Sequence, residues 1–389
     1  MASGLIAGNG GLLDGAGAAP GVAPPEQAAS AQAATSEANV GRRTSGRAIT
    51  GILRESYGGA ETTSAGAGGA IGARTLAPSR TFHNLAVVDP RVTEHRNPRT
   101  AEIDLASPLE IVDLINAEDR LVAAVVATQR VEIARAIEWA EAAFRSGGRL
   151  FYAGAGTSGR LGVLDASEIP PTFGADPTLV QGLIAGGSAA LTRSQEGAED
   201  RPDGARADVD AAGIRKGDFL IGIAASGTTP YVRVALERAR ELGALTAILA
   251  CSPPPREMLA AADLAIVAVT GPEVVTGSTR MKAGTATKLI LNTITTGAMI
   301  RLGKTYGNLM VDLQASNVKL KDRSERIVAE VGGVSRDQAR AVLEQAGGSV
   351  KIAIVMQRLT LDRAAAVARL EAAGGRIRDV VPGPPPAVK

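Results

Sequence analysis

The sequence predicts an α/β fold in which helices cover both faces of a parallel five-stranded sheet, giving a three-layer αβα sandwich. Five short apolar runs lie beyond residue 149 and are separated by Gly-rich turns and helical segments: 150–153, 183–185, 219–224, 245–250 and 264–269. Strands that alternate with helices pair in parallel, because each helical crossover returns the chain to the same edge of the sheet. Ligands of such sheets bind at the carboxyl ends of the strands.

Two helices are predicted ahead of the sheet. Ser107-Pro-Leu-Glu110 is a capping box with proline at the first helical position, and apolar residues then recur at helical spacing. A second, longer helix is expected from about Asp119 to Arg145.

A small helical bundle is predicted at the other end, because the pattern beyond Lys304 is helical again. Ser335-Arg-Asp-Gln338 is another capping box, and Gly347-Gly348 and Gly374-Gly375 are natural helix stops. Three short helices are therefore expected between about Ser335 and Ala373, with a role in packing or dimerisation rather than in the site.

The first 85 residues differ in composition from the rest. They are rich in Ala, Gly, Ser and Pro with little periodic hydrophobicity, so buried surface there cannot offset the entropy lost on ordering. The sequence predicts a disordered extension at 1–85, the sheet domain with its preceding helices at 86–318, a helical domain at 319–381 and a tail at 382–389.

Composition narrows the class of partner. The 389 residues include 42 Lys and Arg against 40 Asp and Glu, a formal charge of +2, which gives no overall basic field for nucleic acid or an anionic membrane. No apolar stretch is long enough to cross a bilayer. The balanced charge favours a small-molecule partner. A cytoplasmic location is expected because a single cysteine, Cys251, fits a reducing compartment.

Histidine chemistry is not expected in the Gly-rich core. The two histidines, His83 and His95, both precede it, so a Ser-His-Asp triad or a His-rich zinc site is difficult to build there. We interpret both as solvated loop residues. Acid–base chemistry in the core then falls to Glu, Asp, Lys or Tyr.

Three polar, Gly-rich segments each precede a helix: 154–159, 225–230 and 277–282. The first two directly follow a predicted strand. Backbone N–H groups and hydroxyls at such positions converge on an anion. The first segment lacks both the dinucleotide spacing and the lysine of a P-loop, which disfavours NAD and ATP. Taken alone it could be a structural turn, and the cations of the third segment could be a solvated helix cap. The candidate binding residues are Gly156, Thr157, Ser158, Ser226, Gly227, Thr229, Arg280 and Lys282.

Four longer motifs carry a family resemblance. They are Gly154-Ala-Gly-Thr-Ser-Gly-Arg-Leu-Gly-Val-Leu-Asp-Ala-Ser-Glu168 with Pro170-Pro-Thr-Phe-Gly174, Glu196-Gly-Ala-Glu-Asp200, Gly277-Ser-Thr-Arg-Met-Lys-Ala-Gly-Thr285 and Asn308-Leu-Met-Val-Asp312. Together they closely resemble the N-acetylmuramic acid 6-phosphate etherases of the sugar isomerase (SIS) superfamily. The resemblance spans roughly residues 93–381. It implies a SIS-type sandwich followed by a UBA-like helical domain.

The resemblance also implies a reaction and its residues. The lactyl ether of N-acetylmuramic acid 6-phosphate would be cleaved by elimination and then hydration, a lyase reaction without metal or organic cofactor. By motif, Glu168 is the acid/base that protonates the departing ether oxygen, and Glu199 is the second carboxylate. Without the resemblance, both would be read as exposed helix-end charges. SIS relatives commonly form homodimers whose sites both subunits complete, so a homodimer is expected.

One departure from the family pattern lies in the second Gly-rich segment, which follows the strand predicted at 219–224. The common pattern there is Ser-Gly-Arg-Thr-Pro-Tyr, whereas this chain has Thr228 in place of the arginine. A cation near the phosphate is then missing, unless Arg280 or Lys282 compensates. Two other readings stay open, a phosphosugar-sensing regulatory protein and a phosphosugar isomerase. The presence of both Glu168 and Glu199, with no helix-turn-helix pattern, favours the etherase.

Overall fold

A computed structural model describes residues 89–315 and 317–387 of the chain. Its centre is a parallel five-stranded sheet in the order β2-β1-β3-β4-β5, as the sequence predicts. The predicted extension at 1–85 lies outside the described residues. The strands are β1 (Leu150–Gly154), β2 (Val180–Ile184), β3 (Phe219–Ala224), β4 (Leu245–Ala250) and β5 (Leu264–Val267).

The central strand β3 and its neighbour β1 are buried along their whole length. Helices cover both faces of the sheet, so the strands are nearly continuous apolar runs rather than alternating ones. Successive side chains along each strand still point to opposite faces of the sheet. Tyr152 and Ile221 belong to the hydrophobic cluster on one face, while Phe151 and Leu220 belong to the cluster on the other.

Eight helices precede, connect and follow these strands in the described chain. Three of them, the third, fourth and eighth, pack on the face with Tyr152, while the fifth and sixth pack on the face with Phe151. No helix in the described residues is long and apolar enough to cross a membrane. The helices are α1 (Pro108–Asp119), α2 (Val122–Ala127), α3 (Arg130–Arg145), α4 (Gly156–Phe173), α5 (Pro202–Ala211), α6 (Pro230–Glu241), α7 (Arg256–Ala260) and α8 (Lys282–Arg301).

The helices before the sheet confirm one prediction and correct another. Ser107 and Glu110 form the predicted capping box of α1. The single helix expected from Asp119 to Arg145 is wrong, because the chain turns between α2 and α3. The side-chain oxygen of Gln129 accepts the N–H of Val267 at 2.8 Å, which fixes the start of α3 beside β5. This contact between distant residues has no local sequence signal.

The C-terminal part of the structure confirms the three predicted short helices. A two-stranded hairpin and one further helix precede them. A hairpin of β6 (Thr305–Tyr306) and β7 (Leu309–Met310) comes first, so the helical pattern expected directly beyond Lys304 is wrong there. Residues of the hairpin region share one hydrophobic core with the helices, including Tyr306, which precedes the predicted boundary at residue 318. The helices are α9 (Val318–Gly332), α10 (Arg336–Gln345), α11 (Val350–Leu359) and α12 (Arg363–Ala372).

Candidate active site

A cavity of about 540 Å³ lies at the carboxyl ends of β1 and β3, which are neighbours in the sheet. We call it the cradle cavity. Helix α4 begins directly after β1, and α6 begins shortly after β3, so both helix N-termini meet at this point. The cradle cavity is lined by Arg91, Glu94, Ala155, Gly156, Thr157, Ser158, Glu199, Asp200, Ala225, Ser226, Thr228, Thr229, Pro230, Gly277 and Thr279.

Backbone geometry shapes the two turns of the cradle. Gly156 and Gly227 have φ angles of 52° and 77°, a region that favours glycine over other residues. The residues before α4 and α6, Ala155 and Thr229, give their helices no side-chain cap. The first backbone N–H groups of α4 therefore remain available, and such groups favour an anion, whereas α6 begins at Pro230, which has no N–H.

Close packing holds the start of α4 against the end of β1. A Cβ atom on Gly159 would lie 2.6 Å from the carbonyl oxygen of Gly154, which real Cβ atoms do not approach. Glycine at position 159 therefore lets the first turn of α4 sit directly on the strand end. This contact fixes where Thr157 and Ser158 face the cavity.

Most of the predicted binding residues lie together here. Those that line the cradle cavity are Gly156, Thr157, Ser158, Ser226 and Thr229. Gly227 forms the turn behind them. Thr228 lines the cavity as well, and its hydroxyl lies 3.0 Å from that of Ser226. Arg280 is exposed and does not line the cavity, although Gly277 and Thr279 of the same segment do.

Lys282 lies elsewhere, contrary to its prediction as a substrate contact. Its ammonium forms a buried ion pair with Glu118 at 2.6 Å, and Arg99 contacts the same carboxylate. A buried charge needs a partner, and here the partner comes from α1 rather than from a ligand. Glu273 accepts the backbone N–H groups of Lys282 and Ala283 at 3.0 Å each. These carboxylates fix the N-terminus of α8 behind the cavity wall.

The pKa of Glu118 reflects this pairing. Hydrogen bonds from Arg99 and then from Lys282 lower it to about 2, against the opposing effect of burial. The carboxylate therefore stays ionised at neutral pH, and the ion pair is intact there.

Two residues that the sequence analysis missed also line the cradle cavity, Arg91 and Glu94. Buried Thr93 holds their segment in place, because its N–H donates to the Ser252 hydroxyl at 3.3 Å and its carbonyl accepts the N–H of Gly277 at 3.1 Å. Arg91 is the one cation among the lining residues of the described chain. The segment has no Gly-rich turn or periodic pattern that would have indicated it.

Asp89 orients the Arg91 guanidinium. Its carboxylate accepts from Nε at 2.9 Å and from Nη2 at 2.5 Å. The hydrogen bonds from Arg91 lower the pKa of Asp89 to about 2, so this partner is ionised at neutral pH. His95, predicted as a solvated loop residue, is half-buried and contacts the Asp89 carbonyl oxygen. His83 lies outside the described residues.

Glu199 stands where two cavities meet. It lies in a short 3-10 helix, Ala198–Asp200, and is exposed. Besides the cradle cavity it lines an adjoining cavity of about 180 Å³, which we call the side cavity. The side cavity is lined by Ala155, Gly156, Arg160, Ala185, Ala190, Ser194, Gln195, Glu196, Gly197, Ala198 and Glu199.

Glu168 lies on α4 but away from the cradle. It is exposed and lines a third cavity of about 380 Å³ together with Asn292 and Asn308. With a rise of about 1.5 Å per residue, its position on α4 is about 18 Å from that of Gly156. The two predicted catalytic carboxylates, Glu168 and Glu199, therefore line different cavities of one chain.

A buried polar cluster positions the helical turn before Glu168. Asp165 accepts hydrogen bonds from the Tyr152 hydroxyl at 2.7 Å, the Asn292 amide at 2.6 Å and the Thr295 hydroxyl at 3.1 Å. Burial raises the pKa of Asp165, and these three bonds oppose that effect. The cluster joins α4 to β1 and α8, so the helix face that carries Glu168 is held rigidly.

Comparisons with known proteins agree with this architecture. Residues 132–240 match the family described as the glucokinase regulatory protein N-terminal SIS domain. The N-acetylmuramic acid 6-phosphate etherase of Symbiobacterium thermophilum is 57% identical over 264 residues, covering 68% of this chain and 87% of that relative. The etherase of Parasynechococcus marenigrum is 50% identical over 287 residues, covering 74% and 90%. That of Rhodopirellula baltica is 55% identical over 264 residues, covering 68% and 87%. With relatives this similar matched over most of their length, the chain belongs to the N-acetylmuramic acid 6-phosphate etherase family.

Proposed function

We propose that this protein cleaves the D-lactyl ether of N-acetylmuramic acid 6-phosphate, giving D-lactate and N-acetylglucosamine 6-phosphate. The observation that carries the proposal is the position of Glu199 at the edge of a hydroxyl-lined cavity built on two helix N-termini. Such a cavity suits a phosphosugar, and the adjacent carboxylate suits proton transfer to or from it. The names of the curated relatives supply the substrate.

The phosphate group is assigned to the cradle. The N–H groups at the start of α4 would bind its oxygens, together with the hydroxyls of Thr157, Ser158 and Ser226. Arg91 would supply the cation, because it lines the cavity whereas Arg280 and Lys282 do not. In this chain the cation would thus come from the segment before α1 rather than from position 228.

The chemistry requires one base and one acid. In the open-chain aldehyde form of the sugar, the C2 proton is acidic because it lies α to a carbonyl group. One carboxylate removes this proton, the C3–O bond breaks, and a carboxylic acid protonates the departing ether oxygen of D-lactate. Water then adds to C3 of the unsaturated aldehyde while a proton returns to C2. Net cleavage is hydrolytic, but the first step makes the enzyme a carbon–oxygen lyase.

Because Glu168 and Glu199 line different cavities of one chain, a second copy of the chain would contribute one of the two carboxylates to each site. We assign the acid role to Glu168 of one subunit and the base role to Glu199 of the other, in a homodimer. Two exposed apolar side chains near Glu168 support an interface there: Leu164 is 53% exposed and Ile300, which also lines the Glu168 cavity, is 50% exposed. Exposed apolar groups of this kind are typical of association surfaces.

The direct test is incubation of the purified protein with N-acetylmuramic acid 6-phosphate and measurement of D-lactate. The wild-type protein should release lactate, and Glu168→Gln and Glu199→Gln should each lose activity by about two orders of magnitude or more. In H₂¹⁸O, label should enter the sugar at C3 rather than lactate. Tight phosphosugar binding without lactate release would reject the etherase in favour of a sensor.

A further inference from the structure

The side cavity continues the cradle cavity. The two share Ala155, Gly156 and Glu199, and the side cavity is the smaller, at about 180 Å³ against 540 Å³. A ligand held in the cradle next to Glu199 could therefore extend a small substituent into the side cavity. The proposed etherase function does not by itself assign any group to this space.

Arg160 is the one cation that lines the side cavity in the described chain. It lies one helical turn after Gly156 on α4, so both residues face the same side of the helix. Its Nε atom donates to the carbonyl oxygen of Leu191 at 3.1 Å, which anchors the guanidinium on the loop that closes the cavity. Both terminal nitrogens have no hydrogen-bond partner among the described residues.

The remaining ionisable groups of the side cavity are acidic and cannot bind an anion. Glu196 and Glu199 are acidic, and Glu196 already accepts the hydroxyl of Ser194 at 2.7 Å. An anionic substituent placed here would be repelled by these carboxylates unless a cation met it. A guanidinium is suited to this task, because its parallel N–H groups bind a carboxylate in bidentate fashion.

The proposed substrate carries two anionic groups at different ends. The phosphate is on C6, whereas the lactyl substituent on C3 ends in a carboxylate. With the phosphate in the cradle and C2 of the sugar next to Glu199, the lactyl group on the adjacent C3 would point into the side cavity. We propose that Arg160 binds the lactyl carboxylate and thereby selects sugars that carry a 3-O-lactyl group over other phosphosugars. This inference rests on the proposed etherase function.

The test compares ligands with and without the lactyl group. Arg160→Gln should lower kcat/KM for N-acetylmuramic acid 6-phosphate about ten- to hundredfold, the loss expected for a charge-assisted hydrogen bond. Its Kd for N-acetylglucosamine 6-phosphate should stay within about twofold of wild type. Inhibition by added D-lactate should weaken in the same variant. Arg160→Lys should recover part of the loss, because it keeps the charge without the bidentate geometry.

Arg193→Gln is the matched control, since this arginine is exposed in the same loop region but does not line the side cavity. It should leave all three measurements unchanged. Unaltered substrate kinetics in Arg160→Gln would overturn the inference, and so would an equal loss of affinity for N-acetylglucosamine 6-phosphate. If the wild-type protein releases no lactate, the proposed function fails. The binding difference between the two sugars still tests Arg160 in that case.

Discussion

Arg91 and Thr228 line the same cavity although they are far apart in sequence. If Arg91 is the phosphate cation, Arg91→Ala should raise KM about ten- to hundredfold while changing kcat little, because the phosphate does not react. Adding Thr228→Arg to Arg91→Ala should restore much of the lost affinity. Steady-state kinetics on the three variants and wild type measure this.

Arg96→Ala is the control for this pair, since Arg96 is exposed on the same segment and does not line the cavity. Its KM should equal that of wild type. A normal KM for Arg91→Ala would contradict the assignment. Failure of Thr228→Arg to lower the KM of Arg91→Ala would count against a phosphate role at position 228.

The buried Lys282–Glu118 ion pair should act on stability rather than on substrate binding. Lys282→Met leaves Glu118 with Arg99 alone, and the loss of one charged partner should cost about 1–3 kcal/mol of unfolding free energy. Urea unfolding at pH 7 measures the loss. Lys321→Met, at an exposed position on α9, should cost little. Equal losses of unfolding free energy for the two substitutions would show that the buried ion pair of Lys282 does not stabilise the fold.

The pairing of Glu118 with Arg99, and then with Lys282, also predicts a dependence of stability on pH. The pKa of Glu118 is lowered to about 2 in the folded state, from an ordinary value of 4.5. Its ionised form therefore stabilises the fold fully above pH 4.5, and this contribution is lost as pH falls from 4.5 towards 2. The difference in unfolding free energy between wild type and Glu118→Gln should shrink over that range. A difference that stays constant between pH 5 and pH 3 would contradict the assignment.

At the scale of elements, the first turn of α4 is the most constrained part of the site. Gly159→Ala would place its Cβ atom 2.6 Å from the Gly154 carbonyl oxygen and 2.7 Å from Ile184 Cγ1. The helix must then move off the strand end, which should cost about 1–3 kcal/mol of stability and raise KM by displacing Thr157 and Ser158. Thermal unfolding and kinetics of the purified variant measure both effects.

Gly204→Ala provides the matched control within α5. Position 204 is exposed, and the nearest atom to its added Cβ is 4.0 Å away. Alanine there should raise stability by about 0.5–1 kcal/mol through helix propensity alone, with kinetics unchanged. If Gly159→Ala behaved like Gly204→Ala, the close approach of α4 to β1 would not matter.

Elements with a local signal could be predicted from the sequence, and those set by distant contacts could not. The buried strands and the capping boxes at Ser107 and Ser335 are local patterns, and the structure confirms them. The break before α3 depends on the contact of Gln129 with Val267. The expected strand at 183–185 begins earlier, at Val180, because Gly182 packs against Val163 of α4 and remains within the strand.

The same division holds for the site. The residues of the cradle cavity could be predicted from a local pattern, in which glycine and hydroxyl residues follow a strand and begin a helix. Arg91 was missed because only the fold brings its segment to the cavity, through the bonds of Thr93. Lys282 was misplaced because its partner, Glu118, belongs to a helix far away in sequence.

At the scale of the whole molecule, the separation of Glu168 from Glu199 predicts complementation between inactive chains. Glu168→Gln and Glu199→Gln should each be inactive alone. Mixed after subunit exchange, they should regain about a quarter of wild-type activity, because half of the dimers are mixed and each mixed dimer has one intact site. Lactate release from the unfolded and refolded mixture measures this recovery.

Mixing either variant with Glu168→Gln/Glu199→Gln should restore nothing, which provides the control. No recovery in the first mixture, with subunit exchange confirmed by an affinity tag on one of the two variants, would place both carboxylates of a site in one chain. A monomeric mass for the active wild-type protein would reject the shared site altogether.

The cradle cavity draws its lining from five stretches of chain, at 91–94, 155–158, 199–200, 225–230 and 277–279. A bound phosphosugar would act as a non-covalent cross-link among them, since local opening of any one would forfeit binding free energy. At a ligand concentration of 100 Kd this linkage adds about 2.7 kcal/mol to the apparent stability. Amide hydrogen exchange should therefore slow in all five stretches together, including the one that precedes the sheet and has no strand of its own.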